Sequence, residues 1–192
     1  LKKTVKTVVE IITKWNLKRT DMTVTVSNGF EAILDDMGCK TVSIIPNGVD
    51  TKLFIPIDKD ESLSVIDLPE LENNFVITYI GSIERWIDIE TVIKSVKILN
   101  DNGIDAVLLC VGGSIAGSYF EELTSKNESV VFTGFVDYEK VPYYISVSDV
   151  CVLPLKPMAK NLTIPLKLLQ YFACQKPVFS LPNSEIEVRF GD

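Results

Sequence analysis

The chain has 192 residues, of which 46% are apolar, 23% charged and 9% aromatic. That is enough apolar content for the packed core of one or two domains and too much for a disordered tail. Lys and Arg number 19 against 26 Asp and Glu, a net charge of −7 that argues against a general nucleic-acid binder. No apolar run reaches the roughly 18 residues that a membrane span needs, and no signal peptide is legible, so a cytoplasmic protein is expected. The start at Leu1 reads as that of an excised or processed fragment.

Two further exclusions follow from residue types. The chain has no histidine, which removes any Ser-His-Asp or Cys-His catalytic arrangement. Cys39, Cys110, Cys151 and Cys174 lie far apart with no CxxC spacing. They read as buried free thiols rather than as zinc ligands, and no metal is expected.

In chain order, residues 4–16 predict an amphipathic helix, with Val5, Val8, Val9, Ile12 and Trp15 or Asn16 on one face and lysines opposite. Residues 1–20 hold six basic side chains and one acid, Glu10, whereas the remainder holds 13 basic and 25 acidic residues. Such a helix packs its apolar face on its own domain or lies on a membrane surface; the first reading is preferred. A strand over 23–27, a helix over 29–37 stopping at Gly38 and a strand over 42–45 follow. Residues 46–69, with Pro46, Gly48, Pro56 and Pro69 and no steady period, read as a junction.

From residue 75 the pattern alternates. Strands are predicted over 75–80, 106–111, 129–132, 149–153 and 177–180, and helices over 87–99, 119–125, 139–147 and 165–173. Apolar strands alternating with helices mean an α/β fold, a doubly wound Rossmann-like parallel sheet covered on both faces. Ligands of such sheets bind at the carboxyl ends of the strands. The turns after Ile80, Val111, Phe132 and Leu153 therefore form the expected binding edge.

Chemistry concentrates at that edge. There is no Walker A motif, and Gly112-Gly113-Ser114-Ile115-Ala116-Gly117 lacks the GxGxxG spacing, which disfavours a dehydrogenase. Gly112 and Gly113 fit either a close backbone approach to a ligand or a plain strand-to-helix turn. Lys167 lies in the first turn of a helix opened by Pro165, where positive charge disfavours the helix itself but would meet an anion. Gln170 shares its face. The bland alternative is two solvated polar residues. Two N-x-S/T sequons, at Asn127 and Asn161, read as chance occurrences.

Six blocks in order, at residues 43–54 (SIIPNGVDTKLF), 78–91 (TYIGSIERWIDIET), 108–114 (LLCVGGS), 130–136 (VVFTGFV), 141–155 (VPYYISVSDVCVLPL) and 164–178 (IPLKLLQYFACQKPV), resemble the retaining nucleotide-sugar glycosyltransferases of family 4, which have the GT-B fold. The resemblance spans residues 20–180. It implies trailing elements of an amino-terminal acceptor domain over 1–47, an interdomain junction over 48–74, and over 75–192 a nucleotide-sugar donor-binding Rossmann-like domain incomplete at its carboxyl end. It implies a donor site at Gly81, Ser82, Arg85, Gly112, Gly113, Phe135, Val136, Lys167 and Gln170, with no catalytic residue assigned. In it, Lys167 contacts the diphosphate, and the backbone at Phe135 and Val136 holds the base.

The chain departs from the family pattern at several points: the glycines usual before the Pro165 helix are replaced at residues 158–161, and the family's later Lys is not identifiable. The family's E-x7-E carboxylates fall on Leu162 and Gln170, and its first-strand Arg falls on Ser82. Arg85 either substitutes for that Arg or is a solvated loop charge. The implied partners are a nucleoside-diphosphate sugar and, through the missing half, an acceptor glycan or lipid-linked acceptor, with peripheral membrane contact through the basic first helix. No cofactor is implied, and the chain alone is expected to be inactive. A degenerate binding or scaffold domain, or another GT-B enzyme such as a nucleotide-sugar epimerase, is the alternative.

Overall fold

In the computed structural model, which describes residues 2–84, 86–113, 127–156, 164–182 and 184–190, the chain divides into two units. One is made of Leu1–Asn47 with Lys160–Ile164 and Pro182–Asp192, the other of Gly48–Ala159 with Pro165–Leu181.

The first unit holds α1 (Lys2–Leu17), β1 (Thr23–Thr25), α2 (Asn28–Asp36) and β2 (Val42–Ile44). β1 and β2 pair in parallel, from Thr23 opposite Val42 to Thr25 opposite Ile44. β1 ends two residues before the predicted Ser27. That residue instead caps α2, its hydroxyl accepting from the Phe30 N–H. The apolar stripe of α1 was expected to pack on its own domain. Val5, Val8, Val9, Ile12 and Trp15 are instead 49–55% exposed, and the Arg19 guanidinium stacks over the Trp15 ring at 3.8 Å.

The second unit opens with the segment read as a junction. Its PNGVD block is a turn in which the Asp50 carboxylate accepts from the Lys52 and Leu53 N–H groups, and Phe54 beyond it is only 1% exposed. The segment also contains an unpredicted helix, α3 (Lys59–Ile66). Its cap is Asp58, whose carboxylate accepts from the N–H groups of Asp60 and Glu61. Only Ser62 and Ile66 of α3 are buried, so no hydrophobic period announces it.

β3 (Phe75–Ile80), α4 (Ile89–Asp101), β4 (Ala106–Val111), β5 (Val130–Gly134), α5 (Val141–Ser146), β6 (Val150–Leu153), α6 (Leu166–Ala173) and β7 (Val178–Ser180) follow. The helix expected over 119–125 lies outside the described residues. α4 begins two residues late because Asp88 caps it, and α6 begins after Pro165, which stands at its cap. The helix expected over 139–147 is a 3-10 turn, Tyr138–Lys140, running into α5.

All five strands of this unit are parallel, in the order β5-β4-β3-β6-β7. Every residue of β4 and five of the six in β3 are buried, which is why these strands read as unbroken apolar runs. The core joins Ile77, Tyr79 and Leu108 of the sheet to Ile89, Val92 and Val96 of α4. The fold class is thus the doubly wound one. The strand order reverses between β3 and β6, which marks that point as the crevice of the sheet.

The last element, α7 (Ser184–Phe190), was not anticipated and belongs to the first unit. Its Glu185, only 8% exposed, accepts from the N–H of Gly29 at 2.8 Å and from the Asn28 side-chain amide at 3.2 Å, at the amino end of α2.

Candidate functional site

Three glycine turns meet at the carboxyl edge of the five-stranded sheet. The Gly81 N–H donates to the Val111 carbonyl at 2.8 Å, the Gly112 N–H to Gly134 at 2.9 Å, and the Ile83 N–H to Gly113 at 3.1 Å. Gly81, Gly112 and Gly134 have φ of +118°, +126° and +69°. Gly112 is required twice over, since an added Cβ would lie 2.6 Å from the Gly81 carbonyl oxygen. At Gly113 the ring of Phe135 occupies the place a Cβ would take.

Lys167, in the first turn of α6, reaches back across this floor. Its Nζ would stand 2.6 Å from a Cβ placed on Gly81, so the ammonium lies directly over that glycine. It donates to the Tyr79 hydroxyl at 2.8 Å and sits 4.1 Å from the centre of that ring. Among the described residues no carboxylate lies within ion-pair distance of it. Burial pulls its pKa down to about 8. A half-buried ammonium whose recorded hydrogen-bond partner is one neutral hydroxyl is a ready receptor for an anion.

Tyrosines build the surroundings. The Tyr79 hydroxyl donates to the Ser82 carbonyl at 2.8 Å, and the fully buried Tyr171 hydroxyl accepts from the Ile80 N–H at 2.9 Å. Burial pushes the pKa of both phenols well up, so they stay neutral. Gln170, one turn along from Lys167, donates from its amide to the Tyr138 hydroxyl at 3.4 Å. The Tyr138 ring meets Phe54 edge-on, with 5.5 Å between centroids.

The structure therefore brings Gly81, Gly112, Gly113, Phe135 and Lys167 into one continuous patch, with Gln170 beside it on α6. Ser82 is exposed, Val136 half-buried, and Phe135 is 82% exposed. Arg85 and Leu162 lie outside the described residues. Tyr79, Tyr138 and Tyr171 were missed; a tyrosine inside the apolar run TYIG, and another four residues after Lys167, were the available signals. The described residues include no cluster of three or more potential metal ligands and no helix long and apolar enough to cross a membrane. Cys110, Cys151 and Cys174 are buried and free, with thiol pKa values pushed up by burial, to about 12 at Cys151 and about 11 at Cys174. Cys39, expected to be buried, is half-exposed.

The family model described as "Glycosyl transferases group 1" matches residues 74–188, which takes in all of this edge. The chain belongs to that family. Among curated relatives of this group 1 glycosyl transferase, it is 29% identical over 152 residues to TuaH of Bacillus subtilis, a glycosyltransferase provisionally assigned to teichuronic acid biosynthesis. It is 24% identical over 182 residues to the uncharacterized glycosyltransferase MJ1069 of Methanocaldococcus jannaschii. The matches cover 77% and 89% of this chain but only 36% and 43% of those relatives. Among solved structures, sucrose-phosphate synthase from Thermosynechococcus elongatus superposes with a TM-score of 0.72 at 25% identity, over 93% of this chain and 45% of that one. HepE of Anabaena, solved with UDP-glucose, gives 0.74 at 17% identity over 91% of this chain and 48% of that one, a likeness of fold. The group 1 membership and these GT-B neighbours account for the Rossmann-like sheet and its glycine edge.

Proposed function

We propose that this chain is the donor-binding portion of a retaining family 4 glycosyltransferase, holding a nucleoside-diphosphate sugar for transfer of a hexosyl group to a glycan or lipid-linked acceptor. The observation that carries this reading is Lys167, an ammonium without a carboxylate partner among the described residues, seated over Gly81 at the sheet's crevice. In this reading Lys167 meets the diphosphate, on which charge builds as the glycosidic bond breaks. The glycine edge lets the donor approach the backbone, and Phe135 and Val136 flank the base. The unit of the five-stranded sheet serves as the donor domain, and the unit built from both ends of the chain as the end of an acceptor domain. No metal takes part. Work in the cytoplasm, at the inner face of a membrane, fits a lipid-linked acceptor, and the 192 residues alone turn over no donor.

A second reading, a degenerate nucleotide-binding scaffold, is favoured by one observation. Gln170 supplies an amide, engaged with Tyr138, where the family resemblance places a ribose-gripping carboxylate. Calorimetric titration of the full-length protein separates the two. UDP is the first ligand, since the neighbour HepE carries UDP-glucose, followed by GDP. The donor reading expects measurable binding of one nucleotide, weakened about ten- to hundredfold in Lys167→Ala and less in Gln170→Ala. Binding that appears only in Gln170→Glu would establish degeneration instead.

A further inference from the structure

We infer that Tyr79 is a positioning residue for Lys167, its hydroxyl pinning the ammonium over Gly81 in the orientation that receives the diphosphate. The inference rests on the donor reading above and names a residue that neither the motifs nor the family resemblance singles out.

The argument is one of proton direction. A phenol has one proton to give. The Tyr79 hydroxyl donates it to the Ser82 carbonyl at 2.8 Å. Its lone pairs are then the only part left to face Lys167, whose Nζ donates to it at 2.8 Å. An ammonium has three donors. With one held by Tyr79 and the ring beneath it at 4.1 Å, the remaining N–H groups meet no other hydrogen-bond acceptor among the described residues and can turn to a ligand. The phenol is itself immobile, being wholly buried in the central strand with its oxygen tied to the turn that follows. Ser82 thus takes part through its backbone, not through a side chain.

The same contact couples binding to pH. Hydrogen bonding to the charged form favours protonated Lys167, against burial, which lowers its pKa to about 8. Among the described residues, the other titratable groups around the pair are Glu84, whose charge is felt at Tyr79, Cys110 of β4, and Cys151 of β6 with Tyr171 of α6 itself. Burial keeps these phenols and thiols neutral at pH 8. Nucleotide affinity should therefore be full below about 8 and fall as the pH rises through that value, because the free protein loses the proton that the bound anion needs.

The experiment is a double-mutant cycle on the full-length protein with UDP, GDP and ADP as probes, together with an NMR titration of Lys167 followed at its side-chain Cε and Nζ in 13C,15N-lysine-labelled protein. Tyr79→Phe keeps the ring and deletes the hydroxyl. It should weaken nucleotide binding about tenfold, the scale of one hydrogen bond to a charged group. It should also move the Lys167 midpoint to lower pH and cost nothing further in a Lys167→Ala background. An unmoved midpoint, or an equal loss of affinity in both backgrounds, overturns the inference. Should Tyr79→Phe fail to fold, difluorotyrosine placed at position 79 keeps the shape while weakening the oxygen as an acceptor, and should move the midpoint the same way. If no nucleotide binds the wild type while the midpoint still shifts, the donor reading falls and the positioning contact stands.

Discussion

The two ends of β3 carry opposite charges in opposite circumstances. At the amino end, Asp149 accepts from the Val76 N–H at 2.7 Å and pairs with the Lys59 ammonium at 3.4 Å. At the carboxyl end, Lys167 has one neutral hydroxyl as its recorded hydrogen-bond partner and no carboxylate among the described residues. A charge that finds its complement inside the fold is architecture; one that does not is held for something from outside. The contrast implies that removing the first should damage the fold and spare binding, and removing the second should do the reverse.

The largest expected effect tests the floor beneath Lys167. Gly112→Ala puts a Cβ 2.6 Å from the Gly81 carbonyl oxygen at a φ of +126°. The positive φ and the overlap together should cost about 3 kcal/mol or more of stability. Urea unfolding measures it. A loss below about 1 kcal/mol would mean that the two turns are not packed as described.

Next comes the direct test of the two ends. Asp149→Leu leaves the buried Val76 N–H without its acceptor and should cost about 2 kcal/mol, whereas Asp149→Asn, which still accepts, should recover most of it. Lys167→Met keeps the volume and removes the charge. The lysine pKa is depressed from its ordinary 10.5 to about 8, so the unfolded chain binds the extra proton between those values. Holding the ammonium in the fold therefore costs stability at neutral pH, a cost that shrinks as the pH rises from about 8. Lys167→Met should then be as stable as the wild type or more so, with nucleotide affinity down about ten- to hundredfold. A destabilised Lys167→Met with intact binding would invert the comparison.

The sheet was legible because both-face burial leaves unbroken apolar runs, so β3, β4 and the parallel arrangement, though not the order of the strands, could be read from composition and alternation alone. α3 was not, because its signal is the Asp58 cap rather than a stripe. Nor was α7, whose place depends on Glu185 finding backbone N–H groups 156 residues away in the chain. At the site, Lys167 stood out because its charge contradicts its position at a helix start. Tyr79 did not, since a tyrosine in a β-strand is what strand propensity already favours and its role lies only in the direction of two hydrogen bonds.

Glu185 gives the smallest and most local test, and it repeats the Asp149 case in the other unit. Its carboxylate accepts from the Gly29 N–H at 2.8 Å, the Asn28 side-chain amide at 3.2 Å and the Asn28 N–H at 3.4 Å. These donors sit at the start of α2, where the helix dipole favours negative charge. Glu185→Gln keeps an acceptor of the same shape but gives up the charge, so about 1 kcal/mol should be lost. Because the contact is confined to the unit built from both ends of the chain, amide exchange should quicken at Gly29 and leave Val76 unchanged. Equal quickening at both would mean that the contact stabilises the molecule as a whole. Unchanged exchange at Gly29 would mean that the Ser27 hydroxyl, which accepts from the Phe30 N–H at 3.3 Å, is cap enough for α2.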